Sequence, residues 1–381
     1  MHNRARGGIT ISMKRRNEKR GGLFAPGALC ALLAVLMILC SAKKERETPL
    51  PELLPLVPEA WMNGGRARSA SAPADSLPSQ EAPGETPGGA EAAEGSPEDG
   101  VRLGSRFVTV SIEGNPVRME LEDYTVHVTA GEMPVSAEPA ALAAQAAAAR
   151  TFTVRRITGS AKCRSGCDVC TDAGCCQAYK SDEELRALWG EKYEENIEKI
   201  RAAVRMTEGL VLTYQGEPIS AAYHSSSGER TASALEVFSF AVPYLISVES
   251  PEGALAEGGV ARFTFAEAEA LIKQEMPEAE FDGSHSVTVL GRSESGRATV
   301  VSFEGADVSA GTLRRALKLK STAFTAEVED GELVFTCTGY GHGVGMSQTG
   351  AEAMAAAGAD FSEILAHYYP GTELEKLIFG E

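Results

Sequence analysis

The stretch Gly339-Tyr340-Gly341-His342-Gly343-Val344-Gly345-Met346-Ser347-Gln348-Thr349-Gly350-Ala351 decides how this chain is read. Gly339, Gly341, Gly343 and Gly345 alternate through it, each beside a residue whose side chain could line a cleft. Glycine allows positive φ and close backbone approach, at an entropic cost that calls for a reason. Taken alone, the pattern also fits a tight connection between a strand and the Ala-rich helix expected after Ser347. Two further segments, Gly131-Glu132-Met133-Pro134 and His224-Ser225-Ser226-Ser227-Gly228, carry the same mixture of turn formers and polar side chains. The three together point to a site.

Outward from the glycines, Phe324 to Glu329 and Leu333 to Thr336 read as paired strands leading in, and Val287 to Leu290 with Ala298 to Phe303 as a hairpin. Phe265 to Met276 reads as an amphipathic helix, and Ala310 to Leu317 as a short one. Nearer the start, Phe107 to Ile112 and Val117 to Leu121 form a hairpin, and Tyr124 to Val128 reads as a further strand. Ala140 to Arg156 is dominated by alanine, the best helix former, with Pro139 in its first turn and Ser136 or Glu138 as cap. Ser181 to Arg205 is a second helix, opened by a Ser181/Glu184 capping box. Leu210 to Tyr214 and Ile219 to Tyr223 read as another hairpin. Strands and helices mixed in this order give an α+β class rather than repeating βαβ units.

The 381 residues are 43% hydrophobic, enough for a real core, and carry a formal net charge of -17. That charge excludes a dedicated nucleic-acid binder and is compatible with an uncharged sugar substrate. Residues 1–20 are basic, and 21–42 form an uncharged run. Its length and the charge bias predict a transmembrane helix with a cytosolic N-terminus, a cleaved signal peptide ending near Cys40 and Ala42 being the alternative. Residues 43–100, rich in Pro, Ala, Glu, Ser and Gly, read as a disordered linker. Residues 101–381 form the folded domain.

The order of motifs resembles the stage II sporulation protein D family. Its signature is carried by Gly131-Glu132-Met133-Pro134, Ala141-Leu142-Ala143-Ala144-Gln145-Ala146 through Arg150-Thr151, and Tyr223 to Gly228. Val242-Pro243-Tyr244-Leu245, Gly341 to Gln348 and His367-Tyr368-Tyr369-Pro370-Gly371-Thr372 complete it. The resemblance implies a membrane-anchored, extracytoplasmic peptidoglycan lytic transglycosylase acting during engulfment, between forespore and mother cell. Its substrate would be denuded glycan strands. Its partners would be a hydrolase that strips stem peptides (an amidase or endopeptidase) and a membrane scaffold of the engulfment machinery. A related branch enhances a cell-wall amidase, so a non-catalytic wall-binding role is the alternative.

In that family the Glu of Gly-Glu-Met-Pro is the catalytic acid, here Glu132. A single Glu can protonate the leaving oxygen and later act as base, while the muramyl 6-hydroxyl attacks to give a 1,6-anhydro end. Read without the resemblance, Glu132 is equally a surface acid favoured by a helix N-terminus. His224, Ser225, Ser226, Ser227, Tyr340, His342, Ser347 and Gln348 are candidates to line a glycan groove, or else to satisfy one another. A Ser-His hydrolase is the rival chemistry, but no Gly-x-Ser-x-Gly elbow is present.

Five of the eight cysteines, Cys163, Cys167, Cys170, Cys175 and Cys176, crowd one loop. Some family members carry zinc here on Cys and His. This loop has no His, and the expected ligands are Cys163 or Cys167 with Cys170, Cys175 and Cys176. Such an all-sulfur site would be structural, with no cofactor needed for the chemistry. Disulfides are the other reading for an exported chain.

Overall fold

The computed structural model describes residues 100–159, 163–253 and 258–380. The expected basic segment, transmembrane helix and linker, up to residue 99, lie outside these. Among the described residues no helix is long and apolar enough to cross a membrane.

β1 (Val101–Leu103) precedes a hairpin of β2 (Phe107–Ile112) and β3 (Asn115–Glu120). Glu113 and Gly114 turn it, both at positive φ (50° and 83°), as a two-residue turn matched to strand twist requires. The chain then enters α1 (Leu121–Glu132). This corrects the strand expected over Tyr124 to Val128. Leu121, Tyr124, Thr125, Val128 and Thr129 are buried at helical spacing, and the Thr125 hydroxyl bonds Leu121 O at 2.8 Å. Packing of that face overrides the β preference of the branched residues.

α2 (Pro139–Thr158) starts with Pro139 at its first position. Glu138 occupies the cap in extended conformation, without a side-chain cap bond. β4 (Val169–Cys170) adds to β2 in parallel. The single helix expected from Ser181 is two, α3 (Asp182–Trp189) and α4 (Tyr193–Met206), separated by a 3-10 turn where Gly190 takes φ 56°. The capping box of Ser181 and Glu184 is formed. β5 (Leu210–Tyr214) pairs with the two-residue β6 (Glu217–Pro218). The longer return strand is absent there, because Tyr223 and His224 form a separate β7 that pairs elsewhere.

Next come α5 (Ala234–Phe238), β8 (Gly259–Phe263), α6 (Phe265–Glu275), β9 (Val287–Arg292), β10 (Ala298–Phe303) and β11 (Ala306–Ser309). α7 (Ala310–Ala316), β12 (Phe324–Glu329), β13 (Glu332–Cys337), β14 (Met346–Ser347), α8 (Gln348–Ala356), α9 (Phe361–Tyr368) and β15 (Glu373–Phe379) complete the order. The sheets are β1-β15-β5-β6, β3-β2-β4, β11-β10-β9, β12-β13-β8 and the pair β14-β7. The architecture is mixed α+β.

Two cores result. One is built by residues of β8 to β13 with α6 and α7, including Phe265, Phe303, Phe324 and Phe335. The other surrounds α2, whose residues Ala141 to Ala149 are all buried. A helix apolar on every side belongs inside a protein, and alanine lets neighbours approach it closely. α1, α4, α8, α9 and β5 all pack on it.

Arg150, on α2, is fully buried and locks this arrangement. Its guanidinium meets both Glu122 oxygens at 2.8 and 2.5 Å and donates to Leu210 O at 3.1 Å. Glu122 also accepts the Gly209 N–H at 3.1 Å, so α1, α2 and the start of β5 share one ion pair. A buried pair contributes only when its remaining groups are satisfied, as here.

Candidate active site and cysteine cluster

The alternating glycines fold back onto residues 222–227. Gly339, Gly341, Gly343 and Gly345 all take positive φ (73°, 114°, 84° and 72°). At Gly345 a Cβ would lie 2.0 Å from Ala222 O, so no other residue fits without moving the backbone. β14 then pairs in parallel with β7, Met346 beside Tyr223 and Ser347 beside His224. Ser226 and Tyr340 exchange backbone hydrogen bonds at 3.0 and 2.8 Å, and Thr349 N–H reaches Ser225 O at 3.0 Å. The second and third motifs are thus one structural unit.

Glu132 arrives from a different direction, as the last residue of α1. It is half-buried. Its Oε1 accepts the Ala178 N–H at 2.6 Å, and Tyr223 and Gln348 hydrogen-bond its carboxyl. Burial dominates over these contacts and pushes its pKa up to about 7. The approach of residues 178–180 to α1 is close. A Cβ on Gly131 would meet Ala178 O at 2.8 Å, and His127 Nδ1 lies 2.7 Å from Lys180 O. Gln348 Nε2 also reaches Gln145 Oε1 on α2 at 3.3 Å. α1, α2, β7, α8 and the segment after Cys176 therefore converge on one carboxyl.

The structure separates the other candidates into two groups. Gln348 and Tyr340 are half-buried and Ser225 is exposed. His224, Ser226, Ser227, His342 and Ser347 are buried. His224 Nε2 bonds Ser227 Oγ, and its Nδ1 is 3.1 Å from Val344 O. His342 Nδ1 accepts the Val344 N–H at 3.0 Å. Burial, with the nearby Arg314 and Arg297 adding to it, pushes His342 down to about 3. His224 is lowered as well, by burial and then by His342 and Arg297. Both rings are neutral at ordinary pH.

Sequence reading missed Glu252, the hub of this second group. Its buried carboxylate accepts from Ser226 Oγ, Ser347 Oγ, Ser250 Oγ at 2.9 Å and the Ser227 N–H at 2.7 Å. Little around Pro251-Glu252-Gly253 signals this, since three of its four donors come from two distant segments, residues 226–227 and Ser347. Tyr223, Gln145 and Gln177 were also left out of the site, although the first two stand inside quoted motifs.

In the cysteine loop, Cys163, Cys170, Cys175 and Cys176 bring their sulfurs within 4.8 Å of one another. Cys167 is not in this group, which favours Cys163 over it as a candidate ligand. The Cys163–Cys175 and Cys163–Cys176 sulfur separations are 3.7 and 3.8 Å, and Cys175–Cys176 is 4.0 Å. A tetrahedron of sulfurs about 2.3 Å from zinc has edges of about 3.8 Å. These separations are far from the roughly 2.05 Å of a disulfide. The donor set therefore fits a closed tetrahedral site. Gln177 and Ala178, two of the groups that surround Glu132, follow directly on Cys176.

A mixed α+β fold with a carboxyl raised to about 7, a glutamine amide bonded to it and a four-thiol cluster in the adjoining loop defines a recognisable class of protein. A family profile described as "Stage II sporulation protein" matches residues 115–214. The chain is 36% identical to stage II sporulation protein D of Bacillus amyloliquefaciens over 268 residues, 70% of this chain and 76% of that one. With the Bacillus subtilis (strain 168) protein of the same name the identity is also 36%, over 71% of this chain and 78% of the relative. The chain belongs to the stage II sporulation protein D family. It is also 30% identical to the amidase enhancer of Bacillus subtilis (strain 168), over 65% of this chain and 39% of that protein.

Proposed function

We propose that the chain is a peptidoglycan lytic transglycosylase, with Glu132 as its single acid and base. The observation that carries this reading is a half-buried carboxyl pushed up to about 7, at the meeting point of the family's motifs. A carboxyl poised there holds a proton for the glycosidic oxygen at neutral pH and, once it has lost it, is basic enough to take one back. In the first step Glu132 protonates the oxygen between muramyl and glucosaminyl units as positive charge builds at the anomeric carbon. In the second its carboxylate removes the proton of the muramyl 6-hydroxyl, which closes the 1,6-anhydro ring. The side-chain amide of Gln348, the half-buried Tyr340 and the exposed Ser225 would hydrogen-bond hydroxyl and N-acetyl groups. His224, Ser226, Ser227, His342 and Ser347 hold that surface from behind.

Two carboxylates would be needed for ordinary hydrolysis with an activated water or a nucleophile. The fully buried glutamates among the described residues are Glu252 and Glu304. Glu252 is occupied by its four donors, Glu304 accepts the His285 N–H, and Glu352 on α8, also raised by burial, accepts the Glu138 N–H at 2.7 Å. Cys163, Cys170, Cys175 and Cys176 would hold a zinc ion. With four sulfur ligands it would supply cross-linking of the loop and leave no open position for substrate. The N-terminal apolar run would anchor the chain in a membrane, with the domain acting on denuded strands outside it alongside a stem-peptide hydrolase.

Mass spectrometry of denuded glycan digested by wild type and by Glu132→Ala tests this. Anhydro-ended products from wild type alone support it. Reducing ends indicate a hydrolase instead. Binding without products favours the alternative suggested by similarity to the amidase enhancer, a wall-binding partner of an amidase.

A further inference from the structure

A line of hydrogen bonds runs from helix α2 to the site. The Thr153 hydroxyl lies 2.9 Å from Ala149 O, a backbone carbonyl that can only accept. Thr153 therefore spends its single hydrogen there and offers its oxygen as an acceptor. Gln177 Nε2 donates to that oxygen at 3.2 Å, which turns Gln177 Oε1 the other way. The Tyr223 hydroxyl donates to Gln177 Oε1 at 2.8 Å. Thr153, Gln177 and Tyr223 are all wholly buried, so water does not compete for these bonds. Tyr223 in turn meets the Glu132 carboxyl, a contact that would lower the Glu132 pKa if the phenol donated its hydrogen there.

We propose that this chain has a fixed direction, so that Tyr223 meets Glu132 with an oxygen lone pair and holds the proton on the Glu132 carboxyl between turnovers. A phenol has one hydrogen, and here it is committed to Gln177. Only the protonated carboxyl can then complete the contact, by donating to Tyr223 Oη. Tyr223 is thus a positioning residue for the proton of the general acid, an inference that rests on the function proposed above. Its own pKa is raised by burial and by the neighbouring Glu132, so it keeps its hydrogen across the working range. The titratable groups that interact with Glu132 are Tyr223 on β7 and Tyr124 on α1, the latter at longer range. Gln348 on α8 and the Ala178 backbone also hydrogen-bond it and carry no charge, and Gln145 on α2 bonds Gln348.

The opposite orientation, with Tyr223 donating to a Glu132 carboxylate, predicts the opposite sign, and this makes the proposal decidable. The test is a 13C titration of the Glu132 carboxyl in the full chain labelled at glutamate Cδ, with the resonance assigned by its loss in Glu132→Gln. Tyr223→Phe should lower the Glu132 pKa by about one pH unit, because the protonated form loses its acceptor. Thr153→Val, which is isosteric and remote from substrate, should lower it too. Without its anchor Gln177 can turn its amide toward Tyr223, whose hydrogen then goes to Glu132. A rise, or no change, in both variants overturns the proposal. If Tyr223→Phe fails to fold, Thr153→Val decides alone. The titration reads the direction of the chain whether or not glycan is cleaved, and the glycan digest tests the catalytic reading independently.

Discussion

Ala178 donates its backbone N–H to Glu132 at 2.6 Å, and Ala178 stands two residues after Cys176. The four-sulfur cluster and the acid are therefore parts of one construction. The loop's own ladder is only the two-residue pairing of β4 with β2, and a metal held by the four thiols would add the rigidity that fixes this donor.

Replacing Cys176 by Ser should remove one ligand, reduce bound zinc well below one equivalent and lower cleavage with it, since Gln177 and Ala178 lose their anchor. Cys167→Ser should leave the metal content unchanged. Elemental analysis of both proteins, purified without oxidant or chelator, checks this, and equal zinc in the two would contradict it.

Glu132→Gln should lower cleavage by about 10²-fold or more. It should also stabilise the fold at neutral pH. The folded carboxyl sits near 7, against about 4.3 in an unfolded chain. Between those values the folded state binds the extra proton, so wild-type stability falls as pH rises through this window. Removing the group should recover on the order of 1–3 kcal/mol at pH 8 and nothing at pH 4. Urea melts of both proteins at the two pH values measure it.

The histidine pair acts in the other direction. His342 is held down to about 3 and His224 is also lowered, while unfolded histidines titrate near 6.5. The unfolded state gains protons first on acidification, so stability present above pH 6.5 is lost progressively toward pH 3, by up to about 4 kcal/mol for His342. In His342→Asn, whose side-chain oxygen can still accept the Val344 N–H, this acid limb should flatten. Thermal melts between pH 4 and 7 would show it.

Glu252→Ala should cost about 3 kcal/mol or more, because Ser226, Ser250, Ser347 and the Ser227 N–H lose their acceptor in a buried site. Ser347 caps α8, whose first residue is Gln348, so cleavage should fall as well. Glu252→Gln, which keeps one acceptor oxygen, should cost less. Denaturant midpoints for the two variants, compared with their cleavage rates, give the ordering.

The sequence carried the long α2 helix, the capping box at Ser181, the β2–β3 and β12–β13 hairpins and the α+β class, because those depend on local spacing and turn chemistry. It misled at Tyr124 to Val128, where branched residues favour a strand but the buried face recurs at helical spacing. β15 was not foreseen, because Glu373-Leu374-Glu375-Lys376 owes its extended form to its partners β1 and β5. At the site, Glu132 was singled out through the family resemblance, and Gln348 as one of several polar residues in a turn-like segment. Glu252 was not, since its identity as a hub exists only once Ser226, Ser250 and Ser347 meet around it. The choice of Cys163 over Cys167 likewise depended on the path of a loop whose spacing permits both.

β1 pairs in parallel with β15, Val101 against Leu377, and β15 in turn pairs with β5. The first strand of the domain therefore waits for β15, and the central sheet closes only after residue 379 has emerged from the ribosome. Until then β1 and β5 present unpaired edges to their surroundings, an exposure that lasts tens of seconds at ordinary rates of synthesis of about 5–20 residues per second. A nascent domain of this topology is a natural client for chaperones, and a message truncated before codon 373 yields a chain whose central sheet cannot close.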